Sequence, residues 1–161
     1  MKIIFSLILI SVLLPFFGKA QGTFNFSDTV FTLGQRHRLA LRYALSEGRV
    51  IVDSTSILQL DSVIQFLNKN RQVIVEIGVH TDSRGADSSN LKMTQWRSEQ
   101  VRNYLVKQGV PESQMTAKGY GETQLIIPEE EINKYKKTNK LQYEKLHQMN
   151  RRTELKIIRM E

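Results

Sequence analysis

The segment between residues 73 and 109 constrains the fold of this chain more than any other. Every second residue from 73 to 79 is valine or isoleucine, the pattern of a strand with one buried face. A loop rich in turn-forming residues follows at 81–90, "TDSRGADSSN". The next pattern is helical to about Lys107 and stops at Gly109, as a C-terminal glycine should stop it. A strand, a loop and a helix in such a short run predict helices packed on a sheet.

Further strand and helix patterns flank this segment. Strands are predicted over 36–45, 114–120 and 152–160, and a helix runs from the capping residues "DSTS" at 53–56 to Asn70. The resulting order predicts an α+β fold. We expect a two-layer β-α-β-α-β-β sandwich, with the helices packed on one face of a mixed four-stranded sheet.

The N-terminal residues have the features of a secretory signal peptide. Lys2 precedes an apolar run from residue 3 to residue 17, and Gly18-Lys19-Ala20 forms a cleavage site. We therefore expect residues 1–20 to be a signal peptide. An uncleaved membrane anchor is the alternative, although fifteen residues fall short of the roughly 20 that a membrane-spanning helix needs.

The remaining residues are expected to form a tail and one domain. Residues 21–36 show little periodicity and are interpreted as an N-terminal tail, followed by a domain over 37–161. A polar, lysine-rich stretch at about 128–149 interrupts that domain. We interpret it as a solvated surface excursion, in which a few apolar side chains could rest on the domain: Ile132, Tyr135, Leu146 and Met149.

Composition limits the chemistry of the chain. It has no cysteine, which excludes disulfides and thiol catalysis, and its formal net charge is +7. Such a charge suits an anionic wall polymer, anionic lipid or nucleic acid, and export makes nucleic acid the least expected of the three. Common hydrolase, phosphate-loop and zinc-protease motifs are absent. His80 and Asp82 are the only close His/Asp couple that could suggest a metal, and a third ligand would have to come from a distant histidine.

Two charged residues flank the predicted loop. Asp82 directly follows the strand, and Arg97 lies four residues before Val101, on the face that carries the apolar residues of the helix. Arg97 is expected in the first turn, where the helix dipole opposes a cation, so an anionic partner is expected as well. Alternatively, Asp82 caps its own loop and Arg97 lies over apolar surface with its charge in water.

Together, the two residues match a zwitterionic ligand. If both face one crevice, Asp82 can bind an ammonium group while the planar fork of Arg97 binds a carboxylate in bidentate fashion. The amino-acid end of a larger molecule presents both groups a few ångströms apart.

The chain also resembles a known family, the OmpA-like C-terminal peptidoglycan-binding domain. The resemblance spans about residues 37–160 and rests on four blocks in the family's order: "GVHTDSRG" at 78–85, "NLKMTQWR" at 90–97, "GYGE" at 119–122 and "NRRTELKI" at 150–157. Val79 interrupts the family's usual first block, and Trp96 is unusual in the second. Neither departure touches Asp82 or Arg97.

The resemblance implies a site and a function. The family's ligand-binding aspartate and arginine fall on Asp82 and Arg97, with Asp82 as the partner of Arg97 while the site is empty. Its supporting loop asparagine falls on Asn90, its loop threonine on Thr81, and the first arginine of its N-R-R block on Arg151.

The implied function is non-catalytic binding of the diaminopimelate in a peptidoglycan stem peptide, with no cofactor. The protein would be exported to the periplasm and associated with peptidoglycan and the outer membrane, with other envelope proteins as further partners. Two alternatives remain, an envelope protein–protein adaptor with little wall binding and a cell-wall peptide hydrolase.

Overall fold

A computed structural model describes residues 22–46, 49–52 and 54–160 of the chain. The expected signal peptide, residues 1–20, lies outside the described residues. Within the described part, none of the helices has the length and apolar character needed to cross a membrane.

The described residues form six strands and four α-helices. The strands are β1 (Arg36–Leu39), β2 (Tyr43–Ser46), β3 (Arg49–Val52), β4 (Val73–His80), β5 (Met115–Gly121) and β6 (Arg152–Met160). The helices are α1 (Ser54–Lys69), α2 (Asp87–Lys107), α3 (Glu129–Asn133) and α4 (Lys140–Asn150), and a short 3-10 helix spans Glu112–Gln114.

Four strands make the main sheet, in the order β1-β6-β4-β5. β4 and β5 run parallel, while β6 runs antiparallel to both β4 and β1, so the sheet is mixed. The predicted α+β class and mixed four-stranded sheet are therefore confirmed. The parallel pair is connected through α2, which brings the end of β4 close to the start of that helix.

The core lies between the sheet and the helices. Alternate residues of β4 and β6 pack against α1 and α2, and the fully buried side chains of this cluster include Leu60, Ile77, Leu105, Leu155 and Ile157. Leu155 and Ile157 therefore give the strand predicted over 152–160 a buried face. Apolar burial of this kind stabilises a fold by about 25 cal/mol per Å² removed from water.

Gly119 lets α2 approach β5 closely. A Cβ atom at this position would lie 2.1 Å from the backbone nitrogen of Gln95, a distance that no real contact allows. The Gly119 amide donates to Oε1 of Gln95 at 2.8 Å, and the Gly121 amide donates to the hydroxyl of Thr94 at 2.9 Å. These contacts fix the position of α2 on the sheet.

The predicted first strand is wrong in its extent. The structure divides residues 36–45 between β1, which pairs with β6, and β2, which pairs with β3 in a separate two-stranded sheet. The alternating pattern continues through residues 40–42, which belong to neither strand. Their backbone is satisfied differently: the amide of Ala40 donates to the side chain of Gln59, and that of Arg42 to the hydroxyl of Ser56.

The interpretation of residues 21–36 as a tail does not anticipate how this segment packs. Phe24 and Phe31 are buried in the core, with Phe24 only 1% exposed, and both contact the ring of Phe66 on α1. Residues 22–35 contain no helix or strand, and Thr23 forms an isolated bridge to Arg36. Aromatic burial, rather than periodicity, holds this segment on the domain.

Residues 128–149, interpreted as a surface excursion, contain α3 and most of α4 and are exposed at most positions. Ile132 of α3 is completely buried, and His147 of α4 is 1% exposed. At the end of α4, the side chain of Asn150 accepts from the amides of Ile126 and Ile127 at 2.8 and 2.9 Å, and donates to the carbonyl of Ile127. These hydrogen bonds join the two ends of the excursion to each other.

Candidate functional site

The site is built where β4 ends. Asp82 follows the strand in the loop before α2, and its side chain is only 6% exposed. Gly85 in the same loop has a φ of +107°, a left-handed conformation that favours glycine. One carboxylate is therefore held, nearly buried, beside the start of a helix.

Arg84 is the main partner of Asp82. Its Nη2 lies 2.9 Å from Oδ2, its Nε lies 3.3 Å from both carboxylate oxygens, and its backbone amide donates to Oδ1 at 3.0 Å. The other branch of the guanidinium, Nη1, lies 3.1 Å from Glu144 of α4. Arg84 therefore links the loop to the excursion.

Two further groups face Asp82 from the other side. Arg151, between α4 and β6, donates to Oδ2 of Asp82 and to the side chain of Gln148. Nδ1 of the buried His147 lies 3.8 Å from the same oxygen. Burial raises the pKa of Asp82, but the hydrogen bonds from Arg84 and Arg151 outweigh it and hold the pKa below its usual value.

A cavity of about 440 Å³ lies next to this cluster. Its walls come from the end of β1, the β1–β2 connection, α2, α4 and the start of β6. Five of the lining residues are arginines: Arg38, Arg42, Arg97, Arg151 and Arg152. No Asp or Glu is among the described residues that line it. The cavity is therefore strongly cationic.

Arg97 projects from α2 toward this cavity. Its guanidinium lies 5.0 Å from the ring centre of Tyr43, and within the described part of the chain no hydrogen bond or salt bridge involves its side chain. The Tyr43 hydroxyl is in turn 2.7 Å from that of Thr153, and burial raises the pKa of Tyr43 to about 12. Burial lowers the pKa of Arg97 from its ordinary value, because a half-buried cation without a counter-ion is poorly solvated.

The supporting residues hold the loop from behind. Asn90 is 5% exposed, and its Nδ2 donates to the carbonyl of Arg84 at 3.1 Å and to Glu122 at 2.7 Å. The amide of Thr81 donates to the carbonyl of Gly121 at 2.9 Å. The hydroxyls of Thr81 and Ser83 are buried with no hydrogen-bond partner among the described residues. They offer two acceptor oxygens in the loop that holds Asp82.

The five residues singled out by sequence thus lie close together, but not in the expected pairing. Asp82 and Arg151 are ion-paired, Arg97 and Arg151 line one cavity, and Asn90 and Thr81 hold the loop. The expectation that Asp82 is the partner of Arg97 is wrong, because Arg84 and Arg151 occupy the carboxylate.

The position of Arg97 in its helix also differs from expectation. α2 begins at Asp87, within the predicted loop, and Asp87 suits the positive end of the helix dipole. Arg97 lies ten residues further on, so the dipole imposes no penalty on it. Its peculiarity is instead the lack of an anionic partner among the residues that the structure describes.

Sequence reasoning missed Arg84, Glu144 and His147. Arg84 carries a weak signal, because it lies two residues after Asp82 in the same loop. Glu144 and His147 carry none, since their approach to the loop depends on how the excursion folds back. Glu144 forms a salt bridge with Arg84, and His147 lies close to the carboxylate of Asp82.

The His80–Asp82 couple is not arranged for a metal. Nε2 of His80 lies 3.3 Å from Glu154, and its ring stacks on Tyr120 with centroids 4.6 Å apart. Burial, followed by the nearby Arg152 and Arg36, lowers the pKa of His80 to about 3, so its ring is neutral at pH 7. Across the described ranges, no three His, Cys, Asp or Glu residues cluster as a metal site.

Comparison with known sequences finds relatives of this chain. The sequence profile of the OmpA family matches residues 46–139, more than half of the chain. Outer membrane porin F of Pseudomonas fluorescens is 34% identical over 89 residues, which are 55% of this chain and 27% of that protein. The peptidoglycan-associated lipoprotein of Buchnera aphidicola is 32% identical over 91 residues, 55% of this chain and 51% of that protein. The chain therefore spans about a quarter to a half of these relatives.

Solved structures share the same architecture. The peptidoglycan-associated lipoprotein of Burkholderia pseudomallei superposes with a TM-score of 0.53 at 28% identity, over 65% of this chain and 79% of that one. The C-terminal domain of Helicobacter pylori MotB gives a TM-score of 0.55 at 19% identity, over 74% and 81% of the two chains, and shows the fold alone. With the family profile covering more than half of its length, this chain belongs to the OmpA family.

Proposed function

We propose that this chain is a non-catalytic, periplasmic peptidoglycan-binding domain that holds the diaminopimelate of a stem peptide. The observation that carries the proposal is the guanidinium of Arg97. It borders a cationic cavity without an anionic partner of its own among the described residues, beside a loop that holds a nearly buried carboxylate. A relative named peptidoglycan-associated lipoprotein supports the choice of ligand.

The carboxylate of the ligand has a site already formed. Arg97 and Arg151 line the same cavity, and a planar guanidinium binds a carboxylate through two parallel hydrogen bonds. Because Arg97 is already partly desolvated, an incoming carboxylate gives it a counter-charge that none of the described residues provides. This half of the site needs no rearrangement of the Asp82 cluster.

The ammonium group of the ligand requires one side chain to move. Asp82 is paired with Arg84, whose side chain is 42% exposed and can turn toward solvent once its contacts with Asp82 and Glu144 break. Once Arg84 leaves, Asp82 provides the counter-charge, and the hydroxyls of Thr81 and Ser83 provide neighbouring acceptors. We therefore expect Arg84 to occupy the ammonium position while the site is empty.

The function is tested by sedimentation of the folded domain with purified peptidoglycan sacculi. The wild-type protein should co-sediment, and Arg97→Met should remain in the supernatant. Arg71→Met is the matched control, because Arg71 is exposed at the opposite end of β4, about 23 Å from the site at 3.3 Å per residue.

Two results would contradict the proposal. Equal sedimentation of wild-type protein and Arg97→Met would remove the assigned site. Release of soluble wall fragments during incubation would indicate a hydrolase instead of a binding domain.

A further inference from the structure

Three polar side chains beside the carboxylate of Asp82 are buried without a hydrogen-bond partner. Two of them are the hydroxyls of Thr81 and Ser83, which the proposed function uses as acceptors. The third is the imidazole of His147 on α4. This residue is 1% exposed, and neither of its ring nitrogens has a hydrogen-bond partner among the described residues. Buried polar groups in proteins are nearly always hydrogen-bonded, because an unpaired group has lost its water without compensation.

Packing does not account for the two nitrogens of this ring. The ring of His147 meets the ring of Tyr143 edge-on, with centroids 4.5 Å apart and an angle of 80° between the planes. A phenylalanine could make the same contact, since ring packing of this kind needs no nitrogen. The nitrogens of His147 therefore need a polar partner that none of the described residues supplies.

The ring is directed at the oxygen that a ligand ammonium would bind. Nδ1 of His147 lies 3.8 Å from Oδ2 of Asp82, and the same oxygen accepts from Nη2 of Arg84 at 2.9 Å and from Arg151. Arg84 itself does not bond to the ring, because its planar fork is divided between Asp82 and Glu144. An ammonium that takes the place of Arg84 on Oδ2 would lie beside Nδ1.

The electrostatics of the ring favour an accepting nitrogen on this side. Burial lowers the pKa of His147, and the charge of Arg84 lowers it further, by more than the charge of Asp82 raises it. The ring is therefore neutral at pH 7, with one nitrogen that donates and one that accepts. A lone pair is the group that interacts favourably with a cation held at the position of Arg84.

We infer that His147 is a further ligand-binding residue, whose Nδ1 accepts a hydrogen bond from the ammonium group that replaces Arg84 on Asp82. This inference rests on the proposed function and specifies how the ammonium is held. An ammonium nitrogen about 2.8 Å from Oδ2 can also lie about 3 Å from Nδ1, since these two atoms are 3.8 Å apart. A compact ammonium has three donors, so it can bond to Asp82, to a loop hydroxyl and to His147 together.

The test uses two peptides that differ in one group. The first is L-alanyl-γ-D-glutamyl-meso-diaminopimelate. The second contains L-2-aminopimelate instead, which keeps the side-chain carboxylate and has hydrogen in place of the free ammonium. By calorimetric titration, the wild-type protein should bind the first peptide at least about thirtyfold more tightly, as expected for a desolvated charged contact.

Variants assign part of this preference to His147. His147→Phe keeps the ring contact with Tyr143 and should reduce the preference about tenfold, the scale of a hydrogen bond to a charged group. Its affinity for the aminopimelate peptide should be unchanged. His147→Asn should retain part of the preference, because its side-chain oxygen can accept in place of Nδ1. Tyr143→Leu, the matched control, removes the packing but no acceptor, and should affect both peptides alike. Circular dichroism checks that each variant folds.

Nitrogen NMR spectra of the histidine rings test the same contact in the wild-type protein. The Nδ1 signal of His147 should be that of a nitrogen without a proton, and it should shift when the first peptide is added but not when the second is added. This measurement decides the question even if His147→Phe fails to fold.

The outcomes separate this inference from the function on which it rests. An equal loss of both peptides in His147→Phe would overturn the inference, since His147 would then act through the fold. A proton on Nδ1 in the complex would overturn it as well, because the ring would then donate to Asp82. Equal wild-type affinity for both peptides would overturn the inference together with the ammonium half of the proposed site. If the wild-type protein binds neither peptide, the proposed function itself fails.

Discussion

The two charged halves of the candidate site are prepared in opposite ways. The carboxylate of Asp82 accepts hydrogen bonds from Arg84 and Arg151, and His147 lies nearby. Among the described residues, the side chain of Arg97 forms no hydrogen bond or salt bridge; its guanidinium lies over the ring of Tyr43 and lines the cavity. The cationic half is therefore ready for a ligand, whereas the anionic half first has to exchange Arg84 for the ammonium group of the ligand.

The largest expected effect on ligand binding comes from the cationic half of the site. Arg97→Met should weaken binding of a diaminopimelate peptide by roughly 2–5 kcal/mol, because the ligand carboxylate would lose its desolvated partner. Thermal stability should be unchanged or slightly higher, since no ion pair with any of the described residues is lost. Titration and thermal melts measure the two effects. A large loss of stability would mean that Arg97 supports the fold, and the contrast between the halves would disappear.

Asp82→Asn should affect both binding and stability. The amide offers no full counter-charge to an ammonium group, so binding should fall by roughly 2 kcal/mol or more. Folding should lose about 1–2 kcal/mol, a modest value because Arg84 and Arg151 are partly exposed and water can solvate them. Chemical denaturation of the wild type, Asp82→Asn and Asp82→Ala measures the second effect. Asp82→Ala lacks even the side-chain amide that Asp82→Asn keeps. Unchanged stability would show that the cluster is not held by charge.

A change of pH should separate stability from binding. The folded-state pKa of His80, about 3, lies below its unfolded value of 6.5, so only the unfolded protein takes up this proton as the pH falls. Between pH 6.5 and pH 4.5, this costs about 2 kcal/mol of folding stability, and His80→Gln should abolish that share of the loss.

Peptide binding by the wild-type protein should stay constant from pH 7 to pH 5. The pKa of Asp82 is held below its ordinary value, and Arg97 remains cationic throughout, so neither half of the site changes its charge. Titrations at both pH values check this. A marked loss of affinity at pH 5 would mean that His147, which lies beside Asp82, gains a proton in that range.

The smallest effect should come from the internal competitor. Arg84→Ala removes the side chain that occupies Asp82, so the peptide should bind more tightly by about 0.5–1 kcal/mol, the scale of a partly exposed ion pair. Glu144→Gln should give a smaller gain, because it only loosens Arg84 from α4. Weaker binding by Arg84→Ala would show that Arg84 touches the ligand, and the anionic half would then be ready as well.

The sequence was a good guide wherever periodicity reflects apolar burial. The last strand was predicted over residues 152–160, the bounds that β6 has, and α2 ends at Lys107 as expected. Prediction failed where polar residues are buried. Asn150 is 0% exposed yet looks like a surface residue, because hydrogen bonds rather than apolar contacts make its burial favourable. His147 is 1% exposed, and its ring packs edge-on against Tyr143 with centroids 4.5 Å apart, a contact that no periodicity of the sequence reveals.

The candidate site was likewise predictable only in part. The positions of Asp82 and Arg97 follow from a strand end and a helix that the pattern reveals. Their partners depend on which way each side chain turns, and on α4, whose docking is not visible in hydrophobicity. A loop arginine two residues from an aspartate is too common a pattern to predict the salt bridge that Arg84 forms.

The close packing at Gly119 has a consequence for sequence variation. Any side chain there would push against the backbone at Gln95, two residues before Arg97, and would shift the guanidinium away from its place at the cavity. In a scan of all single substitutions selected for wall binding, position 119 should therefore be depleted as strongly as position 97. Gly119 would then tolerate substitution as poorly as a residue that contacts the ligand, although it does not contact the ligand itself.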